Sequence, residues 1–142
     1  LNTIGFRAFK ECSSLSTITI PKSVNTIASD AFDACTSLNK TNYTGDVASW
    51  CNIKFANTAA NPINYSHNFY INNQEIKDLV IPGNTGDVKF GVFFNCTSLS
   101  SITILDGVTN ISKSAFNGCS SVSKLVLGES LVNIGDYAFS KG

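Results

Sequence analysis

An α/β solenoid of 23-residue repeats is the fold class this chain predicts, and three observations carry it. The first is spacing: Cys12 and Cys35 lie 23 residues apart, as do Cys96 and Cys119. The second is a residue pair ending in Phe that keeps one register. Its copies are Ala8-Phe9, Ala31-Phe32, Val92-Phe93, Ala115-Phe116 and Ala138-Phe139. The third is an alternating apolar segment at the head of each unit, clearest in Leu15 to Ile20.

The whole unit is displayed from Leu15 to Leu38 as L-x2-I-x-I-P-x2-V-x2-I-x3-A-F-x2-C-x2-L. A period of roughly 20–29 residues led by such a segment marks a leucine-rich-repeat solenoid with a parallel sheet and a short helical turn per repeat. The L-x2-I-x-I segment is a strand. Ile18 and Ile20, Leu79 and Ile81, Ile102 and Ile104, and Leu125 and Leu127 alternate inward. Pro21 and Pro82 stop that strand, since proline donates nothing to a ladder. A second apolar pair follows, Val24 and Ile27 or Val108 and Ile111. Gly5 and Gly135 sit just after it, where a tight bend calls for freedom at φ. The A-F-x2-C segment reads as a helical turn laying Ala, Phe and Cys against the sheet. One repeat cannot bury its apolar face alone; stacking does, at about 1.5–3 kcal/mol per large side chain.

The repeats fall in order along one domain, residues 1–142. A partial first unit ends near Ser14, and the second runs from Leu15 to Ser37. The third starts at Leu38 and is degenerate: Tyr43 replaces the second strand Ile, Val47 keeps its place, Trp50 takes the next Ile position, and Phe55 that of the Phe. The register resumes at Ile76, 15 residues late; the fourth unit spans Ile76 to Ser98, the fifth Leu99 to Ser121, and the sixth starts at Val122. The insertion covers about residues 59–75. It holds the turn signal Asn61-Pro62 and a hairpin pattern, Phe69-Tyr70-Ile71, Asn72-Asn73, then Ile76 onward. This hairpin is expected to lean on the third and fourth repeats and feed into the Leu79–Ile81 strand. Leu1 aligns with Val24, and Gly142 with the next Cys, so the chain reads as a segment of a longer array.

Composition narrows the function. The net charge is zero, without the basic patch that nucleic-acid binding requires. No run of 18 apolar residues is present to insert in a membrane. Charged residues make up 14%, against roughly 25% on average, so Ser, Thr and Asn supply the polar surface. Four of the five Cys share one repeat position and read as a ladder of buried thiols. Zinc is disfavoured because no C-x2-C spacing occurs and His67 lies outside the ladder. No cofactor motif is present.

The motif I-x-I-P-x2-V-x2-I-x3-A-F-x2-C-x2-L resembles the BspA-like leucine-rich repeat family. Ile18 to Leu38 match it almost position for position; Leu79 to Leu99 and Ile102 to Val122 match with Val88 for Ile, Val92 for Ala and Leu105 for Pro. The block from Trp50-Cys51-Asn52-Ile53-Lys54-Phe55 to Asn68 is similar to an insertion in gut-bacterial members. The resemblance implies an extracellular or cell-surface protein, with a host extracellular-matrix or cell-surface protein, glycan or neighbouring bacterium as partner. It implies no catalytic residue.

Two candidate surfaces follow. The outward strand positions form two rows: Thr17, Lys40, Asp78, Ser101, Lys124, and Thr19, Asn42, Val80, Thr103, Val126. Solenoids use such a face for binding, although a solvated face rich in Thr and Val has the same composition. In the insertion, Trp50, Tyr65, His67, Phe69 and Tyr70 form either an aromatic platform for a glycan or protein loop, or a satellite core beneath the hairpin. A Cys51–His67 nucleophile pair lacks an orienting acid. Thr44-Gly45-Asp46-Val47 and Thr85-Gly86-Asp87-Val88 repeat one tetrapeptide, which turn chemistry explains better than calcium binding. The functional alternatives are a binding module, a structural spacer and, least favoured, an enzyme.

Overall fold

A computed structural model describes residues 1–141; Gly142, at the expected next Cys position, lies outside the described residues. In chain order the elements are β1 (Thr3–Ile4), β2 (Thr17–Ile20), β3 (Thr26–Ile27), β4 (Lys40–Tyr43), α1 (Val47–Cys51) and β5 (Lys54–Phe55). Then come α2 (Ile63–Ser66), β6 (Tyr70–Ile71), β7 (Gln74–Glu75), β8 (Asp78–Ile81) and β9 (Asp87–Val88). The chain closes with β10 (Ser101–Ile104), β11 (Asn110–Ile111), β12 (Lys124–Val126) and β13 (Asn133–Ile134). Away from the insertion and β5, paired strand residues lie one period apart and run in parallel: Thr17 with Lys40, Asp78 with Ser101, Ser101 with Lys124. Strands β2, β8 and β10 stop where expected, at Ile20 before Pro21, Ile81 before Pro82 and Ile104 before Leu105. The short strands run as two further sheets, β1-β3-β5 and β9-β11-β13.

The inward positions make the core. Ile20, Leu79, Ile81, Ile102 and Ile104 are buried, as are Val24, Ile27, Val108 and Ile111. Ile18 is half-buried, and Leu125 and Leu127 are exposed, because no described rung covers them. Phe rings stack along the solenoid: Phe9 on Phe32 at 5.3 Å, Phe93 on Phe116 at 5.5 Å, Phe116 on Phe139 at 5.2 Å. Cys35, Cys96 and Cys119 are buried beside them and Cys12 half-buried, as the thiol ladder requires. Cys35 and Cys119 donate S–H to the carbonyls of Phe9 and Phe93, at 3.1 and 3.3 Å.

The A-F-x2-C segment is not helical. Arg7, Asp30, Ser114 and Tyr137 share one repeat position and all have left-handed φ, from 57° to 60°. Glu11, Ala34, Asn95 and Gly118 share a second such position. The segment is a chain of turns: Ala8, Lys10 and Cys12 donate within the rung to Gly5, Arg7 and Phe9. Arg7, Phe9 and Glu11 donate across it to Ser29, Ala31 and Asp33. Every second N–H thus points to the neighbouring rung, so no backbone donor from Arg7 to Cys12 is wasted. The expectation for Gly5 and Gly135 is corrected accordingly: positive φ falls two residues later, on Arg7 and Tyr137.

The third repeat departs furthest from expectation. Tyr43 does take the strand position, opposite Ile20. Phe55, however, pairs with Ile27, which makes it the Ile equivalent and not the Phe. It lies 28 residues on, five more than the period, and the surplus forms α1. Trp50 therefore sits on a helix rather than at the Ile position. The Phe32 amide reaches the Ala59 carbonyl, so Ala59 still belongs to the rung and the extra residues fall on both sides of it. Val47 opens α1 and packs, half-buried, against the core.

Candidate interaction surface

The hairpin forms as its Asn-Asn turn predicts. Asn72 and Asn73 both have positive φ, 48° and 67°, the twist a two-residue hairpin turn needs. Strand β7 pairs antiparallel with β6, and β6 pairs in parallel with β4, opposing Asn42 to Tyr70. The hairpin thus joins the third repeat and makes no strand pairing with the fourth. The long strands are consequently two sheets, β2-β4-β6-β7 and β8-β10-β12. Neither outward row is continuous: Thr17 and Lys40 lie on one sheet, Asp78, Ser101 and Lys124 on the other.

On the first sheet the candidate groups are engaged with one another. Asn42 is only 4% exposed, so it does not belong to a solvent-facing row. Its amide donates to Thr19 Oγ1 at 3.4 Å, and its Oδ1 accepts the Asn73 amide at 2.7 Å. Lys40 is half-buried, lies 4.7 Å above the Tyr70 ring and donates to Asn73 Oδ1 at 3.0 Å. Thr17 and Thr19 stay exposed at the sheet edge.

The aromatic platform does not assemble. Trp50 and Phe69 are fully buried, their ring centroids 4.9 Å apart, and Trp50 also meets Tyr43 edge-on at 5.0 Å. These rings bridge the gap between the Phe stacks, with Phe69 edge-on to Phe93 at 5.2 Å. Tyr65 is half-buried and donates to Asp33 Oδ1 at 3.4 Å; burial, then the Asp33 charge, pushes its phenol up. His67 ends α2 with φ 64°, exposed, its Nδ1 3.1 Å from the Asn95 carbonyl. Tyr70 is half-buried under Lys40. The satellite-core alternative describes Trp50 and Phe69; His67, Tyr65 and Tyr70 remain at its rim.

Cys51 is fully buried on α1, and burial, followed by the Asp46 charge, drives its thiol far up. It stays protonated at neutral pH and is no activated nucleophile. The two Thr-Gly-Asp-Val copies also part company. Asp46 caps α1, its carboxylate accepting the Ser49 amide at 2.8 Å while Ser49 Oγ accepts the Asp46 amide at 3.2 Å. The Ser49 hydroxyl, which also donates to this carboxylate, and then the Ser49 amide hold the Asp46 carboxyl below its ordinary range. In the second copy Gly86 turns the chain at φ 69°, and Asp87-Val88 is strand β9.

The second sheet is open. Asp78, Val80, Lys124 and Val126 are exposed, with Ser101 and Thr103 half-buried between them. Val80 and Val126 are 47% and 41% exposed, flanking Thr103 across three paired strands. Ser101 donates to Asp78 Oδ1 at 2.7 Å, which orients the carboxylate; Lys124 stands at the other end of that row. The backs of β8 and β10 are the fully packed core. Among the described residues no cluster of three His, Cys, Asp or Glu side chains is placed to hold a metal, and no helix is long and apolar enough to cross a membrane.

Sequence reasoning missed one functional group of the framework, Asn61. It is fully buried, and its amide donates to the Gly91 and Val92 carbonyls at 2.8 and 3.0 Å. Its side-chain oxygen accepts the Ile63 amide at 2.9 Å and so starts the turn into α2. Asn61-Pro62 signalled the turn, but nothing in the pair signalled the reach across to the fourth repeat.

Comparison with known proteins agrees with this architecture. The model of the BspA type leucine-rich repeat region matches in six copies, over residues 1–74 and 65–142. A leucine-rich cell surface protein from Faecalibacterium prausnitzii A2-165 superposes with a TM-score of 0.58 at 17% identity, over 95% of this chain and 47% of that one. The T. pallidum leucine-rich repeat protein gives 0.53 at 22% identity, over 95% of this chain and 67% of that one. The chain thus spans about half the length of the first of these structures. No curated protein matches it.

Proposed function

The chain belongs to the BspA-type leucine-rich repeat family, and from that premise we propose that it is a non-catalytic, extracellular interaction module of a bacterial surface protein. It binds a host or microbial protein or glycan through the outer face of β8, β10 and β12. The observation that carries this reading is the open second sheet, where Val80 and Val126 stand exposed beside Asp78 and Lys124, with the packed core behind β8 and β10. Apolar side chains held at fixed spacing, with a charge of each sign alongside, provide contact area at little cost in side-chain entropy. The cell-surface description of the Faecalibacterium relative supports the location. The protonated Cys51 thiol supports the non-catalytic reading.

Three short strands cover far less than the roughly 800 Å² per partner of a standard interface. A single face of this size therefore binds weakly, and useful affinity comes from several such faces engaging together. The test is binding of the fragment, as monomer and as a tethered tetramer, to matrix proteins, mammalian glycans and bacterial cells. A Val80→Ser/Val126→Ser/Lys124→Ala variant is compared with Tyr70→Ala. Tetramer binding that the triple variant abolishes and Tyr70→Ala preserves is the expected result. Binding lost only with Tyr70→Ala would move the site to the hairpin.

One observation favours a second reading, a spacer that projects another domain. The candidate side chains of the first sheet, Asn42, Lys40 and Tyr70, already satisfy one another. A folded tetramer that binds no member of the panel would favour the spacer.

A further inference from the structure

We draw no further inference here: the strongest candidate, the apolar hollow at the C-terminal edge beside β12, lined by Ile102, Phe116, Val122, Leu125 and Phe139, carries nothing because nothing in the structure shows what covers it.

Discussion

Phe32 is fully buried, its ring stacked 5.3 Å from Phe9 and its amide tied to Ala59 in the next rung. Truncating it leaves a void that close-packed rungs cannot collapse into. Phe32→Ala should therefore cost about 3–5 kcal/mol in urea melts. Exposed Thr17→Ala should stay within about 0.5 kcal/mol of the parent. A silent Phe32→Ala would overturn the core assignment. The thiols give a second residue-scale prediction. Burial pushes Cys119 from its ordinary 9.0 up to about 12. An unfolded chain releases that proton near its ordinary pKa while the folded chain still holds it. The native state thus binds more protons in this window, so the stabilisation is intact below pH 9.0 and is lost as pH rises toward 12. Stability plotted against pH should fall there. Replacing Cys119 by Ala should flatten the slope by up to about 1.4 kcal/mol per pH unit. An unchanged slope would mean that this thiol is not desolvated.

The turn arches carry a cost that one substitution should reveal. Ala34 holds φ 58° at the repeat position where Gly118 holds 82°. A non-glycine residue loses roughly 1–2 kcal/mol in that region, against roughly 0.5–1 kcal/mol for the extra entropy of an unfolded glycine. Ala34→Gly should thus be neutral to stabilising, by up to about 1 kcal/mol in thermal melts. Gly118→Ala should destabilise by more than that, since its new Cβ would run into the Asn95 side chain. If Ala34→Gly were the more harmful change, the left-handed arch would be wrongly assigned. The arch also explains what was legible beforehand. Ala, Phe and Cys repeat because their side chains are buried, and burial selects residue type. The backbone at Arg7, Asp30 and Ser114 selects no single type, so its handedness left no mark that periodicity could read. The same logic holds in the third repeat. Its strand was legible through Tyr43, and its hairpin through Asn72-Asn73. The shift of Phe55 to the Ile27 position was hidden because an apolar residue suits either slot. The available signal was Asp46 with Ser49 three residues on, a helix start that Gly45-Asp46 disguised as a turn. The outward rows were assigned by period alone. They broke because a strand pair entered between β4 and β8, and no period can foresee an interruption of the pairing order.

At the scale of the whole molecule, stability is a sum of rung terms and nearest-neighbour terms, and the term at the insertion is built differently from the rest. Elsewhere continuous strand ladders join neighbours. Between the two pairs of sheets the links include the Asn61 amide to Gly91 and Val92, the Trp50 indole to Val92 at 2.7 Å, and the amides of Lys89 and Ser98 to Cys51 and His67. Side chains thus supply donors that backbone provides in a regular rung. Asn61→Ala deletes that amide and the oxygen that accepts the buried Ile63 N–H, while the Gly91 and Val92 carbonyls keep the Phe94 amide and the Trp50 indole; it should cost about 1–3 kcal/mol, the usual range for leaving a buried donor unpaired. The loss is confined to one junction, so it should lower the cooperativity between the halves as well as total stability. Trp50, the only tryptophan, lies at this junction, and its fluorescence reports the seam, whereas far-ultraviolet circular dichroism averages over all rungs. In the parent the two denaturation curves should coincide, as one cooperative unit requires. In Asn61→Ala the fluorescence midpoint should move to lower urea than the dichroism midpoint. Curves that shift together in the variant would show that the packed rings of Tyr43, Trp50, Phe69 and Phe93 couple the halves without help from the amide. The aromatic bridge, rather than the hydrogen bonds, would then hold the open sheet in line with the first.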